Sequence, residues 1–537
     1  MTDLPKQRES FFQRGLIYFA IVLVVAIIIG VFVTLRLNNT TPTQSADYIE
    51  GLPKDEVRVG VVAEMKRYPL MNFEQESVQV SANIFEGLTI LRNGRVVPGL
   101  AESWTNPDPL TWKITLRSGV KFHFGDYLTA SDVKYTIEEA KKNESWVANP
   151  MASRVESVSV VNDTMVELKT KEPDPTLLHW LVYLGILSQE QVKKDGIKNA
   201  VGTGPYKIDS FEKNKVALTA NDNYWAGQPK VRGLTYTKYK DDEALKQALE
   251  AGEADVAPIK KATYTEGLKE KGFQVVTSRL TDVNFLYYDV ASEETKYVQG
   301  GKNPFKNVKV RKAILVALDI PSVIKNGEGA GEVLTQFAVP ELIGYNTDLP
   351  KPKQNLQEAK GLLAEAGYKD GFTVTLDVPI PQEATADEIK KQLADVGIKV
   401  KVNAMESEDD YFDKLFSSDF SFLLLSYTAD TLDSTDLLNV FFHTPSESKG
   451  SLNLTNFSDR AIDKLLDEAT ITFNAKDRAE IVNKAHEKIM EQLPILPLYT
   501  RLGYFAFRDD VAFKPAPFGF IFGIEISGRQ KAPSTAQ

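Results

Sequence analysis

The sequence predicts an α/β protein of more than one lobe, preceded by one N-terminal transmembrane helix. Helix and strand patterns alternate along residues 355–402, which is typical of an α/β domain. The chain has 537 residues, and a single hydrophobic core rarely grows beyond roughly 250–300 residues. Residues 16–35 form one unbroken apolar run. Periodicity, length and this hydrophobic segment together give the predicted fold class.

The clearest alternation begins at Asn355. Asn355 and Glu358 have the spacing of a capping box, and Gly367 stands where a helix ends. The apolar positions on one helical stripe between them are Leu356, Ala359, Leu362, Leu363 and Ala366. Residues 372–376 then alternate as a strand, and the helix–strand pattern recurs over residues 387–402.

The segment that follows combines a buried strand with unpaired acids. Phe420–Tyr427 is apolar on both faces, as expected for a central strand that helices cover. Ligands of open α/β sheets bind beyond the carboxyl ends of the strands, which makes Asp430 a candidate binding residue. A turn residue in solvent is the alternative for Asp430, and spacing does not decide between them. Asp433 and Asp436 are interpreted as turn and helix-cap residues in solvent, because "DSTDLLNVFF" has the form of a cap leading into a helix.

The N-terminus carries the strongest local signal. Leu16–Leu35 contains no charged residue, and at about 1.5 Å per residue it spans the roughly 30 Å hydrocarbon core of a membrane. Basic residues precede it, which predicts a cytoplasmic tail at 1–14, an anchor at 15–36 and an external main domain, periplasmic or on the cell surface. The polar segment 37–56 is predicted to be a flexible tether. A cleaved signal is the alternative, although its apolar region normally has only about 7–15 residues.

Composition argues for binding rather than catalysis. The net charge is −10 and no basic stripe with interleaved aromatics occurs, so nucleic acid is a poor candidate partner. Cysteine is absent, which excludes disulfides, thiolate metal sites and cysteine nucleophiles. The four histidines are scattered and none has metal-ligand spacing: His123, His179, His443 and His486. No catalytic signature is found, so we expect no enzyme, no cofactor and no metal site.

Several segments, in a fixed order, carry a resemblance to a known family. They include "EGL", "VPGLAESW", "LRSGVKFHFGDYLTASDV", "GTGPYKI", "NYWAGQPKV", "ALEAGEADV", "VKVRKAILVALDIPSVI", "EAKGLLAEAGY" and "LPILPLY". These segments resemble the solute-binding proteins of ABC importers, family 5, which includes oligopeptide- and dipeptide-binding receptors. The resemblance runs from about Val57 to about Ile526, which is nearly all of the chain beyond the tether.

The resemblance implies a periplasmic-binding-protein-like type II clamshell with two lobes and an inserted subdomain. The first lobe would comprise 57–83, 201–280 and the returning segment 494–526. The inserted region would span 84–200, and the second lobe would span 281–493. Residues 527–537 would form a disordered tail. Two crossing segments, near "TDVNFLYYDV" and "LPILPLYTRL", would form a hinge that lets the lobes close over a ligand.

The resemblance also implies a site. In peptide-binding members an aromatic-x-x-Asp segment places its acid on the free α-amino group of the ligand, and "YTAD" matches that segment. Asp430 would bind the amine, helped by Tyr427 and the main chain of Thr428 and Ala429. The partners would be a peptide, an ABC permease with its ATPase subunits, and the cell membrane through the N-terminal helix. The protein itself would be a monomer.

Other interpretations stay open at this stage. A family member can bind another solute, such as a metal chelate, haem or an oligosaccharide. A surface receptor could signal or scavenge without transport, and an enzyme would release products from a bound ligand.

Overall fold

The computed structural model describes residues 44–45, 48–66, 75–92, 95–515 and 519–532. Within these ranges no helix is both long and apolar enough to cross a membrane. The predicted cytoplasmic tail, the predicted anchor at 15–36 and the start of the predicted tether lie outside the described residues.

Strands occur along the whole described chain. In order they are β1 Gln44–Ser45, β2 Tyr48–Leu52, β3 Lys54–Val61, β4 Thr89–Arg92, β5 Arg95–Pro98, β6 Ala101–Asp108, β7 Thr111–Leu116, β8 Val155–Asn162, β9 Met165–Thr170, β10 Tyr206–Glu212, β11 Lys215–Ala220, β12 Val231–Lys238, β13 Val256–Ile259, β14 Gln274–Arg279, β15 Asp282–Tyr288, β16 Gly331–Val333, β17 Phe372–Pro379, β18 Ile398–Met405, β19 Phe422–Thr428, β20 Ile495–Phe507, β21 Val511–Phe513 and β22 Ile526–Lys531.

Helices are interspersed among the strands. They are Gln75–Ser81, Ala130–Lys142, Asn149–Ser153, Leu177–Trp180, Gln189–Asp195, Asp242–Glu250, Thr265–Glu270, Val308–Ala317, Ile320–Asn326, Leu356–Glu365, Glu383–Ala394, Glu408–Phe416, Ser434–Phe442, Arg460–Thr470 and Ala475–Gln492. Mixed helices and strands confirm the predicted α/β class.

One mixed sheet runs through both halves of the protein. Its strand order is β10-β11-β12-β3-β13-β20-β15-β19-β17-β18, and β14 and β16 also pair with β20. The long strand β20 pairs with β15 near its start and with β13 and β14 near its end. Where the chain passes from β14 to β15, the Leu280 amide donates to the Arg501 carbonyl at 3.0 Å. The two crossing segments therefore lie side by side.

The second lobe contains the predicted alternation. The Asn355 side chain accepts from the Glu358 amide and begins the helix Leu356–Glu365, and Gly367 follows in a left-handed conformation at φ +87°. Strands β17 and β18 pair in parallel, as the repeated pattern indicates. The helix Glu383–Ala394 begins a few residues before the predicted position near 387, because Thr385 and Ala386 are buried and extend its packed face.

Strand β19 lies where its apolar sequence predicts. It is flanked by β15 on one side and by β17 on the other. Phe422 and Leu424 belong to the core on one face of the sheet, and Leu423 belongs to the core on the other face. Both faces are covered, so the prediction of a central strand is confirmed.

The inserted region has sheets of its own. Strands β4 and β5 form a hairpin, and β6 to β9 form a four-stranded antiparallel sheet in the order β6-β7-β9-β8. One hydrophobic core includes Trp112 and Leu168 of this region together with Val57 and Tyr236 of the first lobe. The inserted region and the first lobe therefore share one hydrophobic core and together form one side of the cleft.

Two predictions of disorder are wrong for the parts of the segments that the structure describes. The predicted tether at 37–56 contains β2 and the start of β3, and the predicted tail at 527–537 contains most of β22, which pairs with β2 and β21. The Tyr48 hydroxyl donates to Asp509 at 2.9 Å, and the Arg529 guanidinium lies 3.6 Å from the Tyr48 ring centre. Lys54 forms an ion pair with Asp510 at 2.7 Å. Local composition could not reveal this order, because the pairing segments are more than 450 residues apart.

Candidate functional site

The acid at the end of β19 faces the interlobe cleft. Asp430 follows the strand by two residues and is exposed to the cleft. The Tyr427 hydroxyl donates to Asp430 Oδ2 at 2.5 Å. Desolvation between the lobes raises the pKa of Asp430, while the Tyr427 hydrogen bond and the charge of Arg154 lower it. In the part of the chain that the structure describes, no cation forms an ion pair with Asp430.

The main chain beside Asp430 has a free edge. Ala429 donates its amide to the Thr281 carbonyl at 3.0 Å, and Thr428 lies opposite Asp282 in the antiparallel pair. Hydrogen-bonded and non-hydrogen-bonded pairs alternate in such a ladder, so the Thr428 N–H and C=O point away from β15. On that side, the register of β17 with β19 contains only Leu423 among the described residues. Thr428 therefore offers a donor and an acceptor to the cleft.

A buried hydroxyl lies next to this edge. Thr281 is 1% exposed, and its Oγ1 has no hydrogen-bond partner among the described residues. Val283 lies opposite Tyr427, and side chains of a strand alternate between faces, so Thr281 and Tyr427 share one face of the sheet. An unpaired buried hydroxyl costs free energy unless something binds to it. Thr281 is thus a candidate ligand contact, and no residue pattern in the sequence marks it.

Asp433 is a helix cap, as predicted, but it is not in solvent. Its side chain accepts from the Thr435 amide and begins the helix Ser434–Phe442. The same carboxylate forms a buried ion pair with Arg478, at 2.7 Å from Nη2 and 2.9 Å from Nε. Asp433 is 0% exposed. The prediction of a solvent-exposed acid is wrong because its cation comes from a helix more than forty residues later.

Asp436 is also not in solvent, because it joins the two sides of the cleft. Its Oδ1 accepts from Thr176 Oγ1 at 3.1 Å, and its Oδ2 accepts from Trp180 Nε1 at 3.2 Å. Arg154 Nη2 lies 3.6 Å from Asp436, while Arg154 Nη1 bonds to Asp174 at 2.8 Å. Burial raises the pKa of Asp436 from the ordinary 3.8 to about 6, in spite of Arg154. We name Asp436, Arg154, Thr176 and Trp180 the interlobe bridge.

Two chambers open beside Asp430. The apolar chamber has a volume of about 400 Å³ and is lined by Val78, Met151, Trp180, Tyr183, Leu280, Thr281, Asp282, Thr428, Ala429, Asp430, Arg501 and Phe520. The charged chamber has a volume of about 650 Å³, and its lining includes Arg154, Lys171, Glu172, Asp174, Asp430, Asp436, Glu447 and Lys449. Both volumes fall in the range of about 300–1,000 Å³ that is usual for small-molecule sites.

The histidines contribute no ligand set. His123 and His486 are mostly or fully buried, and burial lowers the pKa of His123 to about 4 and that of His486 to about 3. Both rings are therefore neutral near pH 7. Across the described residues, no group of three or more His, Asp or Glu side chains could hold a metal ion.

The structure thus brings the predicted residues Tyr427, Thr428, Ala429 and Asp430 together at one end of a strand in the cleft. The missed residues of the site, above all Thr281 and Trp180, come from the crossing segment and the inserted region. Trp180 is 256 residues from Asp436 in the chain. No spacing rule connects residues at such separations, so only the fold could reveal these contacts.

Two lobes with an unpaired acid and ligand-sized chambers between them are the features of a solute-binding protein. The family profile described as "Bacterial extracellular solute-binding proteins, family 5 Middle" matches residues 95–449. The chain therefore belongs to family 5 of the bacterial extracellular solute-binding proteins.

Individual relatives agree with this assignment. The chain is 25% identical over 440 residues to the dipeptide-binding protein of Escherichia coli K12, covering 75% of this chain and 80% of that protein. It is 25% identical over 515 residues to heme-binding protein A of Haemophilus influenzae, covering 86% and 90% of the two chains. The structure of HbpA2 from Haemophilus parasuis superposes with a TM-score of 0.78 at 24% identity, over 88% of this chain and 100% of that one.

Proposed function

We propose that this protein captures peptides between its two lobes and delivers them to an ABC importer in the membrane. One observation carries the proposal. Asp430, a carboxylate without an ion-pair partner among the described residues, lies in the interlobe cleft directly after the free main-chain edge at Thr428. A peptide with a free amino terminus offers both groups that this arrangement lacks.

The chemistry of the two groups is complementary. An α-ammonium that leaves water needs an anion and hydrogen bonds, and charge-assisted bonds to a carboxylate are the strong kind. Asp430 supplies the anion, and the Tyr427 hydroxyl orients it. The Thr428 amide and carbonyl can pair with the main chain of an extended peptide, as in strand addition. Main-chain pairing tolerates many side chains, which suits a nutrient receptor.

Transport follows from closure. The ligand contacts both sides of the cleft only when the lobes are closed, so binding shifts the protein toward the closed form. A permease with its ATPase subunits would read the closed form and take up the peptide. The protein acts as a monomer and as a receptor rather than an enzyme.

The test is isothermal titration calorimetry with the tripeptide Phe-Ala-Ala and its N-acetylated form. Asp430→Asn keeps the shape but removes the charge, and truncating one member of a buried charge pair typically costs about 2–5 kcal/mol, or roughly 30- to several-thousand-fold in affinity. We expect acetylation of the peptide to weaken binding to the wild type by a similar factor. Asp419→Asn, in a surface ion pair with Lys296, is the matched control and should leave affinity unchanged. Tight binding of the acetylated peptide together with a silent Asp430→Asn would refute the proposed site.

The N-terminal segment is proposed to remain attached and to anchor the protein in the cell membrane, with residues 1–14 in the cytoplasm. Support comes from the length of the uncharged run at 16–35 and from the basic residues before it. N-terminal sequencing of the native protein should find chains that still contain this run. A version lacking residues 1–36 should move from the membrane fraction to the soluble fraction. Mature chains that begin after Ala46 would contradict the anchor.

A further inference from the structure

Most of the charged side chains that line the apolar chamber already have a partner of opposite charge within the protein. Asp282 Oδ2 lies 2.6 Å from Arg501 Nε, and Asp282 Oδ1 accepts from the Thr500 hydroxyl at 3.1 Å. Asp282 and Arg501 both lie in the crossing segments and neutralise each other's charge. Among the described lining residues, Asp430 is the carboxylate that has no cation of its own.

The rest of the wall is apolar and comes from different parts of the chain. Val78 lies on a helix of the first lobe, Met151, Trp180 and Tyr183 lie in the inserted region, and Leu280 lies in the crossing segment. Apart from an ammonium group at Asp430, a charged ligand group that entered this space would lose hydration without gaining a free partner. An apolar group would gain the free energy of burial in proportion to its area.

A peptide that pairs with the free strand edge at Thr428 would begin beside the apolar chamber. The chamber is bounded by Thr428, Ala429 and Asp430 themselves. A peptide whose ammonium binds Asp430 and whose main chain follows Thr428 has its first side chain next to this space. Thr281 belongs to the wall of the same chamber, its side chain is on the same face of the sheet as Tyr427, and its buried hydroxyl has no partner among the described residues. A hydroxyl oxygen can accept a hydrogen bond from an ammonium group.

We propose that the apolar chamber is a first-residue subsite, which selects peptides with a bulky aliphatic or aromatic amino-terminal side chain, and that Thr281 Oγ1 accepts a second hydrogen bond from their ammonium group. This inference rests on the proposed function, since it presupposes that a peptide amine binds Asp430. The charged chamber shares Trp180, Ala429 and Asp430 with the apolar chamber, but charged side chains such as Arg154, Lys171 and Glu172 also line it, so it suits an apolar side chain less well.

Calorimetry with the peptides Phe-Ala-Ala, Leu-Ala-Ala, Ala-Ala-Ala and Glu-Ala-Ala tests the subsite. Burial of a large apolar side chain should tighten binding of the first two by on the order of ten- to a hundred-fold relative to Ala-Ala-Ala. Glu-Ala-Ala should bind more weakly than Ala-Ala-Ala, because a second carboxylate would face Asp430. Ala-Ala-Phe is the positional control and should show little of the gain. Equal affinities for Phe-Ala-Ala and Ala-Ala-Ala, or an equal gain for Ala-Ala-Phe, would overturn the subsite.

Two variants test the wall and the hydroxyl separately. Val78 is half-buried, so Val78→Trp should fill the chamber and weaken Phe-Ala-Ala at least ten-fold while sparing Ala-Ala-Ala. Thr281→Val removes only an unpartnered hydroxyl, and it should weaken every free-amine peptide several-fold while leaving acetylated peptides unaffected. Thr277→Val, an exposed position in β14, is the matched control. A silent Thr281→Val would remove Thr281 from the site, and circular dichroism reports whether each variant is folded.

Failure of the subsite and failure of the proposed function give different results. If affinity depends on a free amine but not on the first side chain, the peptide site stands and the subsite is wrong. If acetylated and free peptides bind equally well, the ammonium site at Asp430 is wrong, and the subsite falls with it. If no peptide in the series binds, both are wrong.

Discussion

Trp180 Nε1 donates a hydrogen bond to Asp436 Oδ2 across the interlobe cleft, at 3.2 Å. Trp180 ends a short helix of the inserted region, and Asp436 lies in the first turn of the helix Ser434–Phe442. The Arg154 guanidinium stacks on the same indole, 4.5 Å from its centre. The bridge thus links the two bodies that must move apart when the cleft opens.

Loss of this bond should favour the open form. Trp180→Phe keeps the aromatic ring but removes the N–H, and a hydrogen bond to a charged group contributes about 1.5–3 kcal/mol. Because Thr176 still donates to Asp436, we expect the lower end of that range, with roughly ten-fold weaker binding of Phe-Ala-Ala. Small-angle scattering should show a larger radius of gyration than the wild type at the same peptide concentration. Trp104→Phe, in the outer sheet of the inserted region, is the control. Unchanged affinity and unchanged scattering would show that the Trp180–Asp436 hydrogen bond does not hold the lobes together.

Asp436 should make peptide binding stronger in mild acid. Its pKa rises from 3.8 to about 6 in the bridge, so its ionised form opposes closure. Below pH 4 Asp436 is protonated in both the open and the closed form. Between pH 4 and 6 closure is accompanied by the uptake of a proton. Above pH 6 Asp436 is ionised in both forms, and closure then bears the full free-energy cost of burying its charge. Peptide affinity should therefore rise by up to about ten-fold from pH 7 to pH 5 through this group.

Neighbouring charges also act on this region, so the comparison needs a variant. Arg154 lowers the pKa of Asp436, and Asp174 and Asp433 raise it, while Asp430 titrates in the same cleft. Asp436→Asn should remove the ten-fold component and leave the contribution of Asp430. The measurement is calorimetric affinity for Phe-Ala-Ala at pH 5, 6 and 7 in both proteins. Identical pH profiles would show that closure does not involve Asp436.

Asp433 should matter for stability. Asp433→Asn preserves the helix cap but leaves Arg478 buried without its counter-charge, and breaking a buried pair from one side costs about 3–5 kcal/mol. Chemical denaturation should detect that loss of unfolding free energy. Asp419→Asn removes an exposed partner of Lys296 and should cost no more than about 1 kcal/mol. A similar small effect for both variants would mean that Arg478 finds another partner.

Glu86, at the start of the inserted region, should make the protein less stable as the pH rises. Its carboxylate accepts from Thr203 Oγ1 at 2.8 Å, Tyr224 Oη at 2.8 Å and Trp225 Nε1 at 3.0 Å. Burial nevertheless raises its pKa from 4.5 to about 7. Protonated Glu86 contributes fully to the free energy of unfolding below pH 4.5, and this contribution is lost as the pH rises through 7. About 2 kcal/mol of it should therefore disappear between pH 5 and pH 7.

Buried neutral histidines act in the opposite direction, because they lose stability in acid when the unfolded chain binds protons. The test is therefore the difference in unfolding free energy between the wild type and Glu86→Gln, measured by urea denaturation at pH 5, 6 and 7. From pH 5 to pH 7 the wild type should lose about 2 kcal/mol of unfolding free energy relative to Glu86→Gln. A constant difference would show that Glu86 has an ordinary pKa in the folded protein.

The sequence by itself determined the elements whose signals are local. The cap at Asn355, the helix stop at Gly367 and the doubly apolar strand β19 depend on neighbours within a few residues, so periodicity and capping rules find them. The resemblance in ordered segments along the chain was sufficient to indicate the family, and the family profile confirms it. Asp430 was singled out because it follows the strand, which is again a local relationship.

Only the tertiary structure decided the environment of the other acids and of the chain ends. Asp433 and Asp436 have the same local pattern as Asp430, yet their partners lie about 45 and more than 250 residues away in the chain. Strands β2 and β22 lie in polar segments and are ordered by pairing with each other. Thr281 is an unremarkable threonine until the fold buries its hydroxyl beside the cleft. Burial and charge pairing depend on which distant segments come together in the fold, and local sequence patterns do not contain that information.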